Sequence, residues 1–212
     1  MAKPGQRSAI KGSKSSTAKR DHLVDAAFQT LRDEGFARAS ARAIASRGGF
    51  NSALIFYYFD SVNDLLVEAL SRSSRAQLEK YEDMLANVTT LPDLVASVQS
   101  RIQDDMESGH VKVLTELIGA TSSDEQLREA VFEQVEPWME FTGRSVERIL
   151  ASSGLDGLVP PAQVSFVIVA VFLGMELLAH LTGDDEVVDG LFDSAYRLVG
   201  LLHTALKGGA AP

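Results

Sequence analysis

The 212-residue chain contains no cysteine. That removes disulfides, thiolate metal sites and cysteine nucleophiles from its chemistry, and it fits a reduced, cytoplasmic setting. Histidine is scarce: His22, His110, His180 and His203 make up the set, and no two have the spacing of a helical metal site. His180 with Asp184, Asp185 and Glu186 comes nearest to a ligand cluster, yet capping of a helix start accounts for those acids without a metal. No cofactor or metal is therefore expected. A Gly-rich phosphate loop, the alternation of a β-strand and an internal repeat are also missing. So is any long apolar run. The greasiest stretch, residues 164–175, soon meets Glu176 and His180. A bilayer span needs ~20 apolar residues, so this stretch reads as a buried helix and no membrane partner is expected. The first twenty residues likewise lack the apolar core of a secretory signal.

What is present is an uneven charge. The chain has a formal net charge of −9, but residues 1–60 hold ten Lys/Arg against five Asp/Glu, a net +5, and the remainder sums to −14. Residues 1–20 carry six of the basic residues and no acid. A basic amino-terminal third on an acidic body is the footprint of a protein that meets phosphate at one end only. A solvated tail explains the first sixteen residues equally well.

Residues 1–16 are rich in Gly, Ser, Pro and Lys and read as a mobile, disordered basic arm. From Thr17 helical periodicity sets in, with Leu23, Ala26, Ala27, Thr30 and Leu31 on one face. Gly35 supplies the left-handed residue that ends this helix, and Phe36 folds back as an apolar anchor. Ser40 is an N-cap for a short helix to about Arg47. Gly48 and Gly49 break it, Asn51 caps a second short helix to about Tyr58, and a long amphipathic helix follows over about 62–86. Further capping signals stand at Thr90 with Asp93 and at Ser123 with Gln126. Gly109, Gly154, Gly157, Pro160 and Pro161 punctuate the rest. Helices over about 162–182 and 186–207 close the chain. The fold class is all-α.

Two short helices around a glycine turn, spanning residues 40–59, suit a helix–turn–helix. The first helix braces and the second presents its N-terminal side chains to a major groove. Asn51, Ser52, Ala53, Leu54 and Tyr57 occupy the exposed positions, while Ile55, Phe56 and Phe59 are expected to pack inward. An αα-corner has the same outline. The sequence SARAIASRGGFNSALIFYYFDSVNDLL over residues 40–66 resembles the tetracycline-repressor (TetR) family at Ser40, Arg42, Ile44, Ala45, Gly49, Ile55, Tyr58, Phe59, Ser61, Asp64 and Leu65. The run Leu23, Val24, Asp25, Ala26, Ala27 and the pair Gly35, Phe36 extend the likeness upstream, so that it covers about residues 17–66. Three positions depart from the family pattern. Phe56 stands where a phosphate-contacting tyrosine is usual, and Asp60 and Val62 stand where lysine is common. That shifts the expected phosphate contacts onto the arm and onto Arg38, Arg42 and Arg47.

The resemblance implies an N-terminal helix–turn–helix DNA-binding domain over 17–66. It also implies a larger C-terminal helical ligand-binding and dimerisation domain over 67–212. Ser40 and Arg42 would touch DNA backbone or groove edges, Ser52, Ala53 and Leu54 would face bases, and Tyr57 would lie on the groove wall. Apolar contact with thymine methyls follows from Ala53 and Leu54. The implied partners are double-stranded operator DNA, a small-molecule effector and a second copy of the chain.

Within the larger domain, Phe166, Ala170, Leu173 and Leu177 form one helical stripe, and Leu191, Ala195, Leu198 and Leu202 form another. Two such helices from each of two subunits make a four-helix dimer interface; burial inside one subunit is the competing reading. Candidates for an effector pocket are Met84, Met106, His110, Trp138, Phe141, Phe172, Met175 and Glu176, with Tyr81 beside them. Plain core packing competes for each, since apolar pockets and apolar cores draw on the same residues. Two other classes of function remain open at this point: an all-helical enzyme, for which no nucleophile–base pair can be argued, and a helical protein-interaction module without DNA specificity.

Overall fold

A computed structural model describes residues 4–152 and 160–182, and beyond them 190, 193, 194, 196–198, 200 and 201. Side chains are described from residue 16 onward, excluding among others those of Met106 and Glu176. Within these residues the chain is helical: α1 (Pro4–Glu34), α2 (Ala41–Gly48), α3 (Ala53–Tyr58), α4 (Val62–Leu85), α5 (Leu91–Ser108), α6 (His110–Ala120), α7 (Glu125–Ser152) and α8 (Pro161–Thr182). Single 3-10 turns at Phe36–Arg38 and Thr121–Ser123 fill two corners. No described helix is long and apolar enough to cross a membrane.

Two helix starts differ from the sequence reading. Helical backbone begins at Pro4, within the segment read as a disordered arm; proline's fixed φ and missing N–H suit a first turn, and no second proline interrupts the run. Asp124, not Ser123, caps α7, its Oδ1 accepting from the Leu127 N–H at 2.9 Å. The cap at Thr90 stands as read: its Oγ1 accepts from the Asp93 N–H at 3.3 Å and donates to the Asp93 carboxylate at 2.6 Å.

The chain parts into two compact units, Met1–Ser73 with Glu116–Val131, and Ser74–Thr115 with Phe132–Pro212. The sequence boundary at residue 66 falls inside α4, a helix that carries no local signal where one unit gives way to the other. The corner between α6 and α7 joins the first unit through contacts remote in sequence. Glu116 Oε2 accepts from the Phe36 N–H at 2.8 Å, and Asn63 Nδ2 donates to Asp124 Oδ2 at 3.3 Å.

The core of the first unit is the apolar face of α1 (Leu23, Val24, Ala27, Leu31) closed by Ile44 of α2, Ile55 of α3 and Leu65, Leu66 and Leu70 of α4. Each of the fully buried leucines and isoleucines contributes about 1.5–3 kcal/mol by leaving water. Thr30 is buried on the same face, and its hydroxyl is satisfied by the Ala26 carbonyl at 2.7 Å. At the rim, Arg20 pairs with Glu68 at 2.9 Å and lies over the Phe59 ring, 5.0 Å from its centroid.

The second unit packs around Tyr81, Leu85 and Phe141, with Leu78, Met84, Val88, Leu94, Val98 and Trp138 against them. Arg148 donates to the Leu85 carbonyl at 2.8 Å, satisfying one of the carbonyls left open where α4 ends. α8 is tied to α7 by buried Ser165, whose hydroxyl donates to the Met139 carbonyl at 2.6 Å.

Candidate nucleic-acid interface and ligand cavity

In the first unit, α2 and α3 are set by local chemistry. Ser40 has extended backbone and its Oγ accepts from the Ala43 N–H, as its N-cap role requires. The two glycines that follow α2 serve different ends. Gly49 sits at φ 67°, ψ 32°, and its N–H returns to the Ala45 carbonyl; only a residue without a Cβ adopts that conformation at no cost. Gly48 has no such backbone demand, but a Cβ there would overlap the Phe50 ring and reach the Ala26 Cβ at 3.0 Å. His22 closes this turn from α1. Its Nε2–H donates to the Gly48 carbonyl at 2.7 Å, and its ring meets Phe50 edge-on at 5.7 Å. The sequence alone gave His22 no role; only the fold brings it 26 residues forward to the turn.

Asn51 then caps α3 as expected, its Oδ1 accepting from the Ala53 N–H at 2.8 Å. Ile55 is fully buried and Phe59 nearly so, which anchors α3 by two side chains. Asn51 and Ala53 are exposed, Ser52 and Leu54 half-buried, and Tyr57 is 78% exposed with its ring edge-on to Tyr58 at 4.9 Å. Phe56 corrects the reading made from its type. It is 58% exposed, because with Ile55 and Phe59 four residues apart on the inner face, residue 56 lies about 100° round the helix.

The arginines divide as well. Arg42 is exposed. Arg47 is held by Asp33 at 2.8 Å and Glu34 at 3.0 Å, and those bonds raise its affinity for its proton. Asp33 is pushed below the usual carboxylate range, first by the hydrogen bond from Arg32. Arg38 donates to the Glu34 carbonyl at 2.9 Å. Of the three cations assigned to phosphate from sequence, two are therefore engaged in closing α1 onto the turn.

The second unit holds a partly open cavity of about 160 Å³, walled by α4, α5, α6, α7 and α8. His110, Trp138, Phe141 and Phe172 line it, as the sequence suggested. Met84 packs on the Tyr81–Phe141 core instead, and Met175 is half-buried without reaching the lining. The side chains of Met106 and Glu176 lie outside the described residues. Leu173, expected in the dimer stripe, is a lining residue.

Sequence reasoning missed Asp105 and Gln77. Asp105 is buried, and it accepts from the Tyr81 hydroxyl and from Gln77 Nε2 at 3.2 Å. Burial raises its pKa, against the lowering influence of Tyr81 and Arg101. A signal was there: Asp105 continues the α5 stripe of Leu94 and Val98 at i+11, where an acid has no business unless it is paired. His110 is buried and stacked on Trp138 at 6.1 Å, and burial pushes its pKa down to about 4, so it is neutral at physiological pH. The Trp138 Nε1–H donates to Ser74 Oγ at 2.7 Å, fixing the indole in the wall.

Residues 23–69, which run from the buried face of α1 into α4, match the family described as bacterial regulatory proteins, tetR family. The likeness to that family is carried by this segment, 47 of the 212 residues. The chain's similarity to an uncharacterized HTH-type transcriptional regulator of Mycobacterium tuberculosis is 28% over 109 residues. That alignment takes in 51% of this chain and 56% of the relative, so the chain spans about half the length of such relatives. A fatty acid metabolism regulator protein of Bacillus subtilis is 20% identical over 186 residues, 87% of this chain and 90% of that protein. Among solved structures, the regulator FadR of Bacillus subtilis in complex with stearoyl-CoA superimposes with a TM-score of 0.71 at 15% identity, covering 84% of this chain and 96% of that one. A tetR-family regulator of Cytophaga hutchinsonii gives 0.71 at 15% identity, with 88% and 95% covered. These likenesses establish a shared fold. The matched segment contains α2, Gly49 and α3.

On α8 the described side chains face two ways. Ile168, Val169, Phe172 and Leu173 line the cavity, while Phe166, Val167, Ala170, Val171, Leu177, Leu178 and Leu181 are exposed. Leu198, in the described helical positions beyond Gly190, is 59% exposed. Leu191, Ala195 and Leu202 lie outside the described residues.

Proposed function

We propose that the chain is a sequence-specific transcriptional regulator, a cytoplasmic homodimer that binds a palindromic operator and is released by a small, largely apolar effector. The observation that carries this reading is the α2–Gly49–α3 unit. A short helix is capped by Asn51, anchored by Ile55 and Phe59, and left with Tyr57 almost fully in solvent. Tyr57 and its neighbour Phe56 are both exposed and add little to the core, so together they form an aromatic patch suited to docking. In this reading Ser40 and Arg42 contact backbone or groove edges. Asn51, Ser52, Ala53 and Leu54 meet bases, and Tyr57 lies along the groove wall. Phe56, being exposed, joins them as an apolar contact.

Homodimerisation is supported by α8. A helix apolar all round belongs in a core, yet one face of this one, with Phe166, Ala170 and Leu177, is uncovered in the single chain. Leu198 offers a second uncovered apolar side chain. A two-fold axis through such a surface would set paired α3 helices against successive major grooves, roughly 34–36 Å apart. The cavity supports an effector site, and FadR, which shares the fold, holds stearoyl-CoA in its solved complex. Effector binding would act by favouring a conformation with lower operator affinity.

The test is selection of the full chain against a random duplex pool at moderate salt, with sequencing of the retained fragments. An enriched inverted repeat is expected. Salt-sensitive retention without a sequence preference would reduce the function to electrostatic binding and remove the roles given to residues 51–57. Analytical ultracentrifugation of the same protein should show a dimer, which F166E and L177E should dissociate.

A further inference from the structure

The chemistry of the cavity selects one class of occupant, an inference that rests on reading the cavity as the effector site. Among the described lining residues, Asp105 is the acid and none is a lysine or arginine; His110, buried and neutral, adds no charge. The Asp105 carboxylate is 4% exposed and lies beside an aromatic wall. Tyr81 and Trp138 meet edge-on at 5.5 Å, and Trp138 and Phe141 at 6.5 Å. Ring faces attract cations, and a carboxylate accepts about four hydrogen bonds. Two of these are taken, by the Tyr81 hydroxyl and by Gln77 Nε2. The Arg101 Nε stands 3.8 Å from Asp105 Oδ1, but Arg101 is outside the lining and its guanidinium lies over the Tyr81 ring.

We propose that the cavity binds a small organic ammonium compound, its protonated amine on Asp105 and its apolar body against Trp138 and Phe141. Burial raises the Asp105 pKa, and Tyr81, Arg101 and Lys80 offset it only in part, so a cation brought into the cavity beside Asp105 would further favour the carboxylate. A carboxylate or phosphate occupant would instead face Asp105 with no lining cation to balance it. Size narrows the class further. About 160 Å³ is the scale of a cavity that takes a benzene ring, so the body is one ring with a short chain.

The single tryptophan of the chain is Trp138, so intrinsic fluorescence reports occupancy directly. Three probes of one shape separate the possibilities on the full-length protein near neutral pH: phenethylamine, propylbenzene and hydrocinnamate. Phenethylamine is expected to shift Trp138 emission with an affinity at least about tenfold above that of propylbenzene, and hydrocinnamate to leave the emission unchanged. In D105N the amine should fall to the affinity of propylbenzene, whose own binding stays constant. Hydrocinnamate binding as well as the amine, or an amine preference that survives D105N, overturns the inference while leaving the cavity a ligand site. If no probe shifts the emission or raises Tm, the effector-site reading itself fails. Should D105N lose the native circular dichroism spectrum, the amine-to-propylbenzene ratio of the unmodified chain decides alone.

Discussion

Adding one methyl group at Gly48 tests how the turn before α3 is built. A Cβ at Gly48 would overlap the Phe50 ring and approach the Ala26 Cβ at 3.0 Å. The normal carbon–carbon separation is about 3.5–4.0 Å, so in G48A the ring must leave its place and lose the edge contact with His22. Overpacking of this kind costs about 1–3 kcal/mol, and an aromatic pair contact is worth about 0.5–1.5 kcal/mol. Against that, alanine gains about 1 kcal/mol over glycine in a helix. G48A should therefore lose about 1–3 kcal/mol. G49A meets nothing within 4 Å, so it bears only the left-handed backbone penalty of about 1–2 kcal/mol. The discriminating measurement is a double-mutant cycle in urea, followed by far-UV circular dichroism. Removing the ring should relieve the clash, so that F50A and G48A together cost at least about 1 kcal/mol less than their sum. F50A and G49A should add. Additivity of G48A with F50A would show that Phe50 is not what excludes a side chain at residue 48, and the account of the turn would be wrong.

The remaining predictions concern titration and phosphate binding. His110 has a folded pKa of about 4 against 6.5 for the free side chain. Between those values the unfolded chain binds more protons, so stability should fall as pH drops from about 6.5 to 4, by no more than about 3 kcal/mol; H110Q should remove that part of the slope in pH-dependent urea melts. R42A should weaken DNA binding on every sequence and reduce the salt slope by about one counterion, as measured by fluorescence anisotropy at several salt concentrations. R47A should instead show its main effect in a urea melt, a loss within about 1 kcal/mol, because Arg47 is a partly exposed partner of Asp33 and Glu34. Deletion of residues 1–16 should flatten the salt dependence of DNA binding, and an unchanged slope would remove those lysines and arginines from the interface.

The parts of this fold that were legible in the sequence are those written in local chemistry. Ser40, Gly49, Asn51 and Thr90 each announce a cap or a turn through their own side chain or its absence, and each acts as read. The face of α1 is equally plain, since Leu23, Ala27 and Leu31 recur at helical spacing and are all fully buried. What the sequence hid depends on partners far along the chain. The Glu116 carboxylate reaches the Phe36 N–H across 80 residues, and no pattern near either residue foretells it. The cavity was half legible for the same reason. Aromatic side chains mark an apolar region, but whether Phe172 or Met175 meets the hollow depends on the rotation of α8. That helix is apolar around its circumference and gives no phase, so the sequence alone could not tell that Leu173 lines the cavity. Phe56 differs from the expectation its type suggests: Ile55 and Phe59 take the inward positions and Phe56, about 100° round from Ile55, is 58% exposed.

The way α3 is fastened has a consequence for how this protein could change its target. The short helix is held from outside itself, by Gly49, by the Asn51 cap and by His22 on the turn before it, and only Ile55 and Phe59 reach into the core. Exposed substitutions on such a support usually move stability by less than about 0.5 kcal/mol. Ala53, Phe56 and Tyr57 are thus free to vary almost as an interchangeable cartridge, with the frame beneath them unaltered. Mutational drift at those three positions can rewrite which DNA is read before it endangers folding, and a designer seeking a new operator would randomise them first.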